Sequence, residues 1–155
     1  MARSWSIGSH TKAALRTEWT GRKASRLAVL KHHGIRVPDF VVLPTYVCSA
    51  LTTRSAAADR RLLEIIVQFC SKHPSETGYA VRSSALAEDT ARYSFAGQFK
   101  SLLHLMNPSQ ILDGIYAVVQ SGYTPAENAY PGQMQPSDPA MAVILQPMIA
   151  AQFAG

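Results

Sequence analysis

The stretch YAVRSSALAEDTARYSFAGQF, residues 79 to 99, limits most strongly how this chain folds. An apolar segment of strand length leads into a run of small and polar residues, and a Phe-Ala-Gly turn then leads into a second apolar segment. The run also contains an arginine at the end of the first segment, two adjacent serines and an acidic pair. The pattern predicts two strands joined by a loop with a binding role, because a plain surface loop rarely needs all of these features.

The apolar spacing elsewhere predicts the remaining elements and an α+β fold with roughly four strands and four helices. Helices are expected over residues 21–33, 44–51, 55–73 and 108–122, and strands within 35–44, 78–84, 98–105 and 140–150. Thr20 is expected to cap the first helix and Gly34 to end it. Residues 122–139 contain four prolines and are expected to form a linker or excursion.

Length and composition indicate one globular domain, since the chain has 155 residues of which 47% are hydrophobic and 16% are charged. No apolar run approaches the roughly 18 residues that span a bilayer, and the N-terminus has no secretory apolar region. Cys48 and Cys70 are expected to be free thiols in a reducing compartment, so we expect a cytoplasmic protein without a membrane partner.

The positive charge of the chain is concentrated near its N-terminus. Residues 1–36 contain eight basic groups and one acidic group, whereas the whole chain carries a net charge of +5. Such a field attracts polyanions, which include nucleic acid, nucleotides and acidic partners, and its sign does not choose among them. Nucleic acid is the least expected of the three, because only Trp5 and Trp19 offer stacking surfaces in this region and no reader motif is present.

The loop after the strand at residues 78–84 has the residue types of a phosphate site. Ala96 and Gly97 are small enough for a phosphate to approach the backbone, and Ser94 and Ser101 offer hydroxyl donors. Arg82, at the strand end, supplies a positive charge. The same residues also fit an ordinary hairpin turn with a solvated arginine, so the residues alone leave both interpretations open.

Four segments in one order resemble a known family. These are GRKASRLAVLKHHGIRVPDFVV, VRSSALAED, SFAGQF and MAVILQPMIAAQFAG, which together cover residues 21–155. They resemble the ATP-binding domain shared by phosphoenolpyruvate synthase, pyruvate phosphate dikinase and rifampicin phosphotransferase. The resemblance implies the N-terminal lobe of an ATP-grasp domain, with a mixed sheet and flanking helices.

The resemblance also implies which residues bind ATP. Lys23 corresponds to a phosphate-binding lysine at a helix start, and Arg82 to an arginine that contacts the phosphates. Gly97 and Ser101 correspond to the small-residue loop and hydroxyl over the phosphates, and Gln146 and Met148 to the strand whose backbone holds adenine. The pair Glu88-Asp89 belongs to the motif without a catalytic role, and no catalytic or metal-binding residue is assigned.

Three positions depart from the family pattern. Arg22 replaces a glycine and adds charge and bulk where the nucleotide is expected, Asp39 replaces the glycine of a Pro-Gly-Phe turn, and Lys100 occupies a position that is often acidic. None of these changes removes a phosphate ligand.

The chain ends at Gly155, inside the last matching segment. We therefore expect residues 1–20 to form an N-terminal arm and residues 21–155 to form a partial ATP-binding domain without its second lobe. Mg²⁺ is expected only in the complete domain. The apolar residues of the last strand, including Val143, Ile144, Leu145, Ile149 and Phe153, are not expected to be all covered by so small a lobe.

In the resembling enzymes, the β-phosphate of ATP passes to a carrier histidine and then to pyruvate or an antibiotic hydroxyl. The leading hypothesis is the nucleotide-binding lobe of such a phosphotransferase, which needs a second-lobe or phosphocarrier chain and does not catalyse the reaction alone. The alternative is a non-catalytic or regulatory nucleotide-binding module that a partner chain completes.

Overall fold

The computed structural model describes residues 4–86, 100–123 and 141–150, which form an α+β fold. The strands are β1 (Ile7–Gly8), β2 (Val41–Leu43), β3 (Tyr79–Ala85), β4 (Ser101–Leu105) and β5 (Met141–Pro147). The helices are α1 (Thr17–His32), α2 (Thr45–Cys48), α3 (Ala56–Lys72) and α4 (Pro108–Tyr123), with two 3₁₀ turns at Lys12–Leu15 and Ser49–Thr52.

The described strands form one five-stranded sheet in the order β1-β2-β5-β3-β4, and every neighbouring pair is antiparallel. The expectation of a mixed sheet is therefore wrong for these strands. The reason is the position of β5, which lies between β2 and β3 and runs antiparallel to both. β2 and β3 consequently run in the same direction, but they are not neighbours and form no parallel ladder.

Helices pack on both faces of the sheet, and successive strand side chains alternate between the two faces. On one face, Val81 and Leu145 pack in a core with α2, α3 and α4. On the other face, Val42 and Ile144 pack in a smaller core with Ala24 of α1. This two-sided cover explains why the last strand reads as a continuous apolar run in the sequence.

Helix α3 forms where its apolar spacing predicts it. The Ser55 hydroxyl accepts a hydrogen bond from the Ala58 N–H at 3.2 Å and so caps the first turn. Leu62, Ile66 and Phe69 follow at helical spacing and are buried in the core that α3 shares with α4 and the sheet. Complete burial of each such side chain contributes about 1.5 to 3 kcal/mol, so this stripe holds α3 in place.

The N-terminal arm expected over residues 1–20 is, from Ser4 onward, part of the fold. Ile7 pairs with Val42 at the edge of the sheet, and Ala14 is completely buried beside α1. Helix α1 begins at Thr17, so the expectation that Thr20 caps it is wrong. The Thr20 hydroxyl instead donates to the carbonyls of Ala14 and Arg16, which ties the first turn of α1 to the 3₁₀ turn before it.

Helix α1 packs against β2, β5 and β3, whereas β4 lies at the far edge of the sheet. Ser101 at the start of β4 is exposed, and Leu103 in its middle is 52% exposed. These exposed residues of β4 therefore lie beyond the strands on which α1 packs.

The apolar residues of the last strand divide into two groups. Val143, Ile144 and Leu145 are buried inside this fold, whereas Ile149, beyond the end of β5, is 68% exposed. Phe153 lies outside the described residues. The expectation that not all of them are covered is met at Ile149 and not within the strand itself.

Candidate functional site

Gly21 divides helix α1 into two parts and creates a second helix start in its middle. Its backbone has φ 73° and ψ 171°, a conformation that is nearly restricted to glycine, while the residues on both sides are helical. A Cβ atom at Gly21 would lie 1.9 Å from the carbonyl oxygen of Ser84. Both the conformation and the close approach require glycine, and together they place the new helix start against the end of β3.

The new helix start is capped by a side chain from another element. The Ser84 hydroxyl accepts a hydrogen bond from the Ala24 N–H at 3.0 Å, and Ser84 is completely buried. Ala24 is the third residue after Gly21, which is the position that an N-cap side chain normally satisfies. Because Gly21 has no side chain, Ser84 of β3 supplies the acceptor across the contact.

Lys23 lies at this helix start, two residues after the break. Its Nζ donates a hydrogen bond to the Ser83 carbonyl at 3.2 Å, so the ammonium group reaches the end of β3. A helix start carries a partial positive charge from its N–H groups, and the ammonium group adds a full charge beside it. The resulting corner between α1 and β3 has the electrostatics of an anion site.

Arg82 and Ser101 lie opposite each other on β3 and β4. Arg82 is also opposite Ile144 on β5, and Ile144 packs on the α1 side of the sheet. Cross-strand partners project from the same face, so Arg82 and Ser101 share the face on which Lys23 lies. Within the described part of the chain, no carboxylate lies within ion-pair distance of the Arg82 guanidinium.

Gln146 lies on the same face. It is opposite Ala80 on β3 and two residues after Ile144 on β5, so its side chain also projects toward the α1 side. Its Oε1 atom is buried and has no hydrogen-bond partner among the described residues. A buried acceptor without a donor is costly, and a ligand N–H or O–H group would satisfy it.

Met148 follows β5, and the fold already uses its polar groups. Its N–H donates to the Gly78 carbonyl at 2.9 Å, and its carbonyl accepts from the hydroxyls of Ser75 and Thr77 at 3.1 Å each. Its sulfur accepts from the His104 N–H at 3.1 Å. A base that contacted the Met148 backbone would have to exchange one of these partners.

Four of the six residues expected to bind nucleotide therefore share one face of the sheet: Lys23, Arg82, Ser101 and Gln146. Met148 lies beyond the end of β5. Gly97 and the pair Glu88-Asp89 lie outside the described residues.

The sequence reasoning missed the contribution of Gly21 and Ser84 to this site. The adjacent serines were visible in the sequence, and so was a glycine before the basic pair at residues 22 and 23. No local pattern links positions that are 60 residues apart, so only the fold connects the Ser84 hydroxyl to the helix start.

Arg22 does not lie on the face that carries Lys23 and Arg82. It lines an open groove on the outer side of α1 together with Thr17, Ser25, Val29 and other residues of that helix surface. Arg22 therefore adds its charge and bulk to this groove on α1.

Asp39, the second departure, connects four parts of the fold. Its carboxylate accepts a hydrogen bond from the Ser9 hydroxyl at 3.1 Å and lies 2.6 Å from His10 Nε2, 3.1 Å from Lys31 Nζ and 3.4 Å from His73 Nδ1. Burial opposes ionisation of Asp39, but the hydrogen bonds from Lys31, Ser9 and His10 outweigh it and lower its pKa. Asp39 therefore has a structural role away from the site.

The candidate site suits an anionic ligand better than a metal ion. Two cations, a hydroxyl and a helix start face the same region, and these are the groups that bind phosphates in proteins. Mg²⁺ prefers carboxylate and water oxygens in octahedral geometry. In the described ranges, no cluster of three or more acidic, histidine or cysteine side chains suits a metal ion, so these residues do not fit Mg²⁺.

Residues 54–155 match the protein family described as "Pyruvate phosphate dikinase, AMP/ATP-binding domain". The chain belongs to this family. The match includes Arg82, Ser101 and Gln146, three of the four residues that share the candidate face, and it begins after Lys23. The chain is thus a member of a nucleotide-binding family, as its sequence motifs predicted.

Three relatives extend this result. The uncharacterized phosphotransferase YvkC of Bacillus subtilis is 24% identical over 90% of this chain and 19% of its own length. A rifampicin phosphotransferase of Streptomyces sviceus is 33% identical over 68% of this chain and 14% of its own length. A probable phosphoenolpyruvate synthase of Archaeoglobus fulgidus is 31% identical over 57% of this chain and 12% of its own length.

The alignment with YvkC leaves out only a tenth of this chain, so it extends well before residue 54 and covers the region of Lys23. The chain spans less than a fifth of the length of each of these relatives. Among the residues that the structure describes, no helix is long and apolar enough to cross a bilayer.

Proposed function

We propose that this chain is the N-terminal lobe of an ATP-grasp nucleotide-binding unit in an ATP-dependent phosphotransferase. The phosphates of ATP lie on the α1 side of the sheet, between Lys23 at the helix start and Arg82 on β3. Ser101 offers its hydroxyl to the phosphates, and by the resemblance Gly97 also contributes to phosphate binding. Gln146 and Met148 lie beside the base, with Gln146 Oε1 as an acceptor for a ligand N–H.

One observation supports this proposal above the others: Lys23, Arg82, Ser101 and Gln146 come from four different elements and share one face of the sheet. Two cations that approach a polyphosphate from different elements neutralise its charge and fix its position. Phosphoryl transfer depends mainly on such positioning and electrostatic stabilisation. This chain's residues therefore bind and orient the phosphates, and the acceptor chemistry lies outside it.

The relatives suggest the reaction that this lobe serves. By its resemblance to phosphoenolpyruvate synthases and rifampicin phosphotransferases, the complete unit transfers the β-phosphate of ATP to a carrier histidine and then to pyruvate or an antibiotic hydroxyl. Mg²⁺ would belong to the complete unit, where carboxylates of the second lobe would hold it and it would supply charge neutralisation. The partners we propose are a second-lobe chain and a phosphocarrier chain, or segments that continue this one.

The experiment is a calorimetric titration of ATP into this chain joined to the second lobe of a relative. We expect Lys23→Ala and Arg82→Ala each to weaken ATP binding by about 10- to 100-fold, the range for one charged hydrogen bond. Lys72→Ala and Arg60→Ala are the matched controls, because both residues are exposed on α3 at the opposite face of the sheet. Equal ATP affinities for all four variants would contradict the assignment of Lys23 and Arg82 to the phosphates.

The non-catalytic alternative makes a different prediction in the same system. A regulatory module would bind ATP with the same dependence on Lys23 and Arg82, but the complete assembly would release no AMP when carrier and acceptor are supplied. AMP release that depends on Arg82 would support the phosphotransferase.

A further inference from the structure

Gly21 and Ser84 form a contact that joins the two halves of the candidate site. The absence of a Cβ at Gly21 allows the backbone of α1 to lie against the Ser84 carbonyl, and the Ala24 N–H donates to the Ser84 hydroxyl at 3.0 Å. We call this pair of contacts the Gly21–Ser84 latch. Because Ser84 is completely buried, water does not compete for this hydrogen bond.

The latch determines where the helix start lies relative to β3. Lys23 is one residue before Ala24 in α1, and Arg82 is two residues before Ser84 in β3. A shift of α1 along β3 would therefore change the separation of the two charged groups directly. Displacements of about 1 Å at a site that positions phosphates are known to have large effects on function.

We propose that Ser84 is a positioning residue of the phosphate site, a role that rests on the proposed function above. Its hydroxyl holds the helix start at Gly21 against β3, so that Lys23 and Arg82 contact the same polyphosphate. Ser84 itself does not touch the nucleotide, because its side chain is completely buried.

The neighbouring serine provides a matched control. Ser83 is opposite Val143, a residue of the core on the α3 and α4 side of the sheet, so its side chain projects from the other face. Its hydroxyl is buried and has no hydrogen-bond partner in the described ranges. Removing this hydroxyl therefore takes away no contact of α1, and the Ser83 carbonyl that accepts from Lys23 is retained in Ser83→Ala.

The test compares ATP with adenosine, which has no phosphates, in titrations of the full chain at millimolar ligand. We expect Ser84→Ala to weaken ATP binding about three- to tenfold, the effect of one hydrogen bond, and to leave adenosine binding unchanged. We expect Ser83→Ala to bind both ligands like the parent chain. A merely structural role would weaken ATP and adenosine binding equally, or neither, and either result would overturn the proposal.

Lys23→Ala in the same series separates this inference from the proposed function. If Lys23→Ala loses ATP affinity and Ser84→Ala does not, the latch proposal fails and the phosphate site remains. If the parent chain shows no preference for ATP over adenosine, both proposals fail.

A measurement on the parent chain covers the case in which Ser84→Ala does not fold. Phosphates bound at the latched helix start stabilise the latch by linkage, so ATP should slow hydrogen exchange of the Ala24 amide more than adenosine does. Equal exchange with both ligands would overturn the proposal.

Discussion

Replacement of Gly21 by alanine tests the close approach of α1 to β3. The added Cβ would lie 1.9 Å from the Ser84 carbonyl oxygen, which is backbone and cannot rotate away. The conformation with φ 73° and ψ 171° adds strain of about 1 to 3 kcal/mol for a residue with a side chain. Relief of the overlap also separates buried Ala24 from the sheet, so we expect Gly21→Ala to lower the free energy of unfolding by about 3 kcal/mol or more.

Gly34 offers a control that isolates the close approach. It also has a positive φ, of 80°, at the end of α1, but a Cβ there would meet nothing within 4 Å. Gly34→Ala should therefore cost only the left-handed strain, about 1 to 2 kcal/mol.

Urea denaturation followed by circular dichroism measures both variants. For a domain of this size, each kcal/mol also corresponds to a melting shift of roughly 2 to 4 °C. If Gly21→Ala were destabilised no more than Gly34→Ala, the helix start would not be held rigidly against β3, and the reasoning about the latch would be refuted.

Three further predictions concern parts of the fold away from the site. Asp39 has a lowered pKa in the folded state, so its ionisation stabilises the fold above about pH 4, and this contribution is lost as the pH falls through the folded pKa. In denaturation curves, Asp39→Asn should therefore lower the free energy of unfolding at pH 7 by about 1 to 2 kcal/mol, and the variant should lose less stability than the parent below pH 4. Burial raises the pKa of Cys48 to about 12, whereas Cys70 is only half-buried, so Ellman's reagent at pH 8 should label Cys70 first and Cys48 only at the rate of unfolding; faster labelling of Cys48 would contradict its burial. Leu62→Ala should cost about 2 to 5 kcal/mol because Leu62 is completely buried, whereas Val67→Ala, at a residue that is 52% exposed on the same helix, should cost less than about 0.5 kcal/mol in urea denaturation.

Local sequence patterns predicted the elements with strong periodicity. Helix α3 occupies Ala56–Lys72 where residues 55–73 were expected, and α4 begins at Pro108 as expected. Strand β5 lies within its expected segment, and β3 (Tyr79–Ala85) extends one residue beyond the expected 78–84. These elements follow from apolar spacing and end signals, which act over a few residues and are therefore visible in the sequence.

The features that the sequence did not predict depend on contacts between distant residues. Strand β1 has only two residues and exists because it pairs with β2. The break in α1 depends on the contact of Gly21 with Ser84. The antiparallel pairing throughout the described sheet depends on β5 lying between β2 and β3. The resemblance named Lys23 and Arg82, but their shared face follows from strand register, which no local pattern contains.

The most direct test of the central claim is a chemical-shift map of the labelled chain with ATP and with adenosine. The proposed site predicts ATP-specific shifts at the amides of Lys23 and Ala24 at the helix start, of Arg82 on β3 and of Ser101 on β4, with none along α3. Shifts confined to α3 and α4, or to the groove beside Val29 on the outer side of α1, would contradict the account.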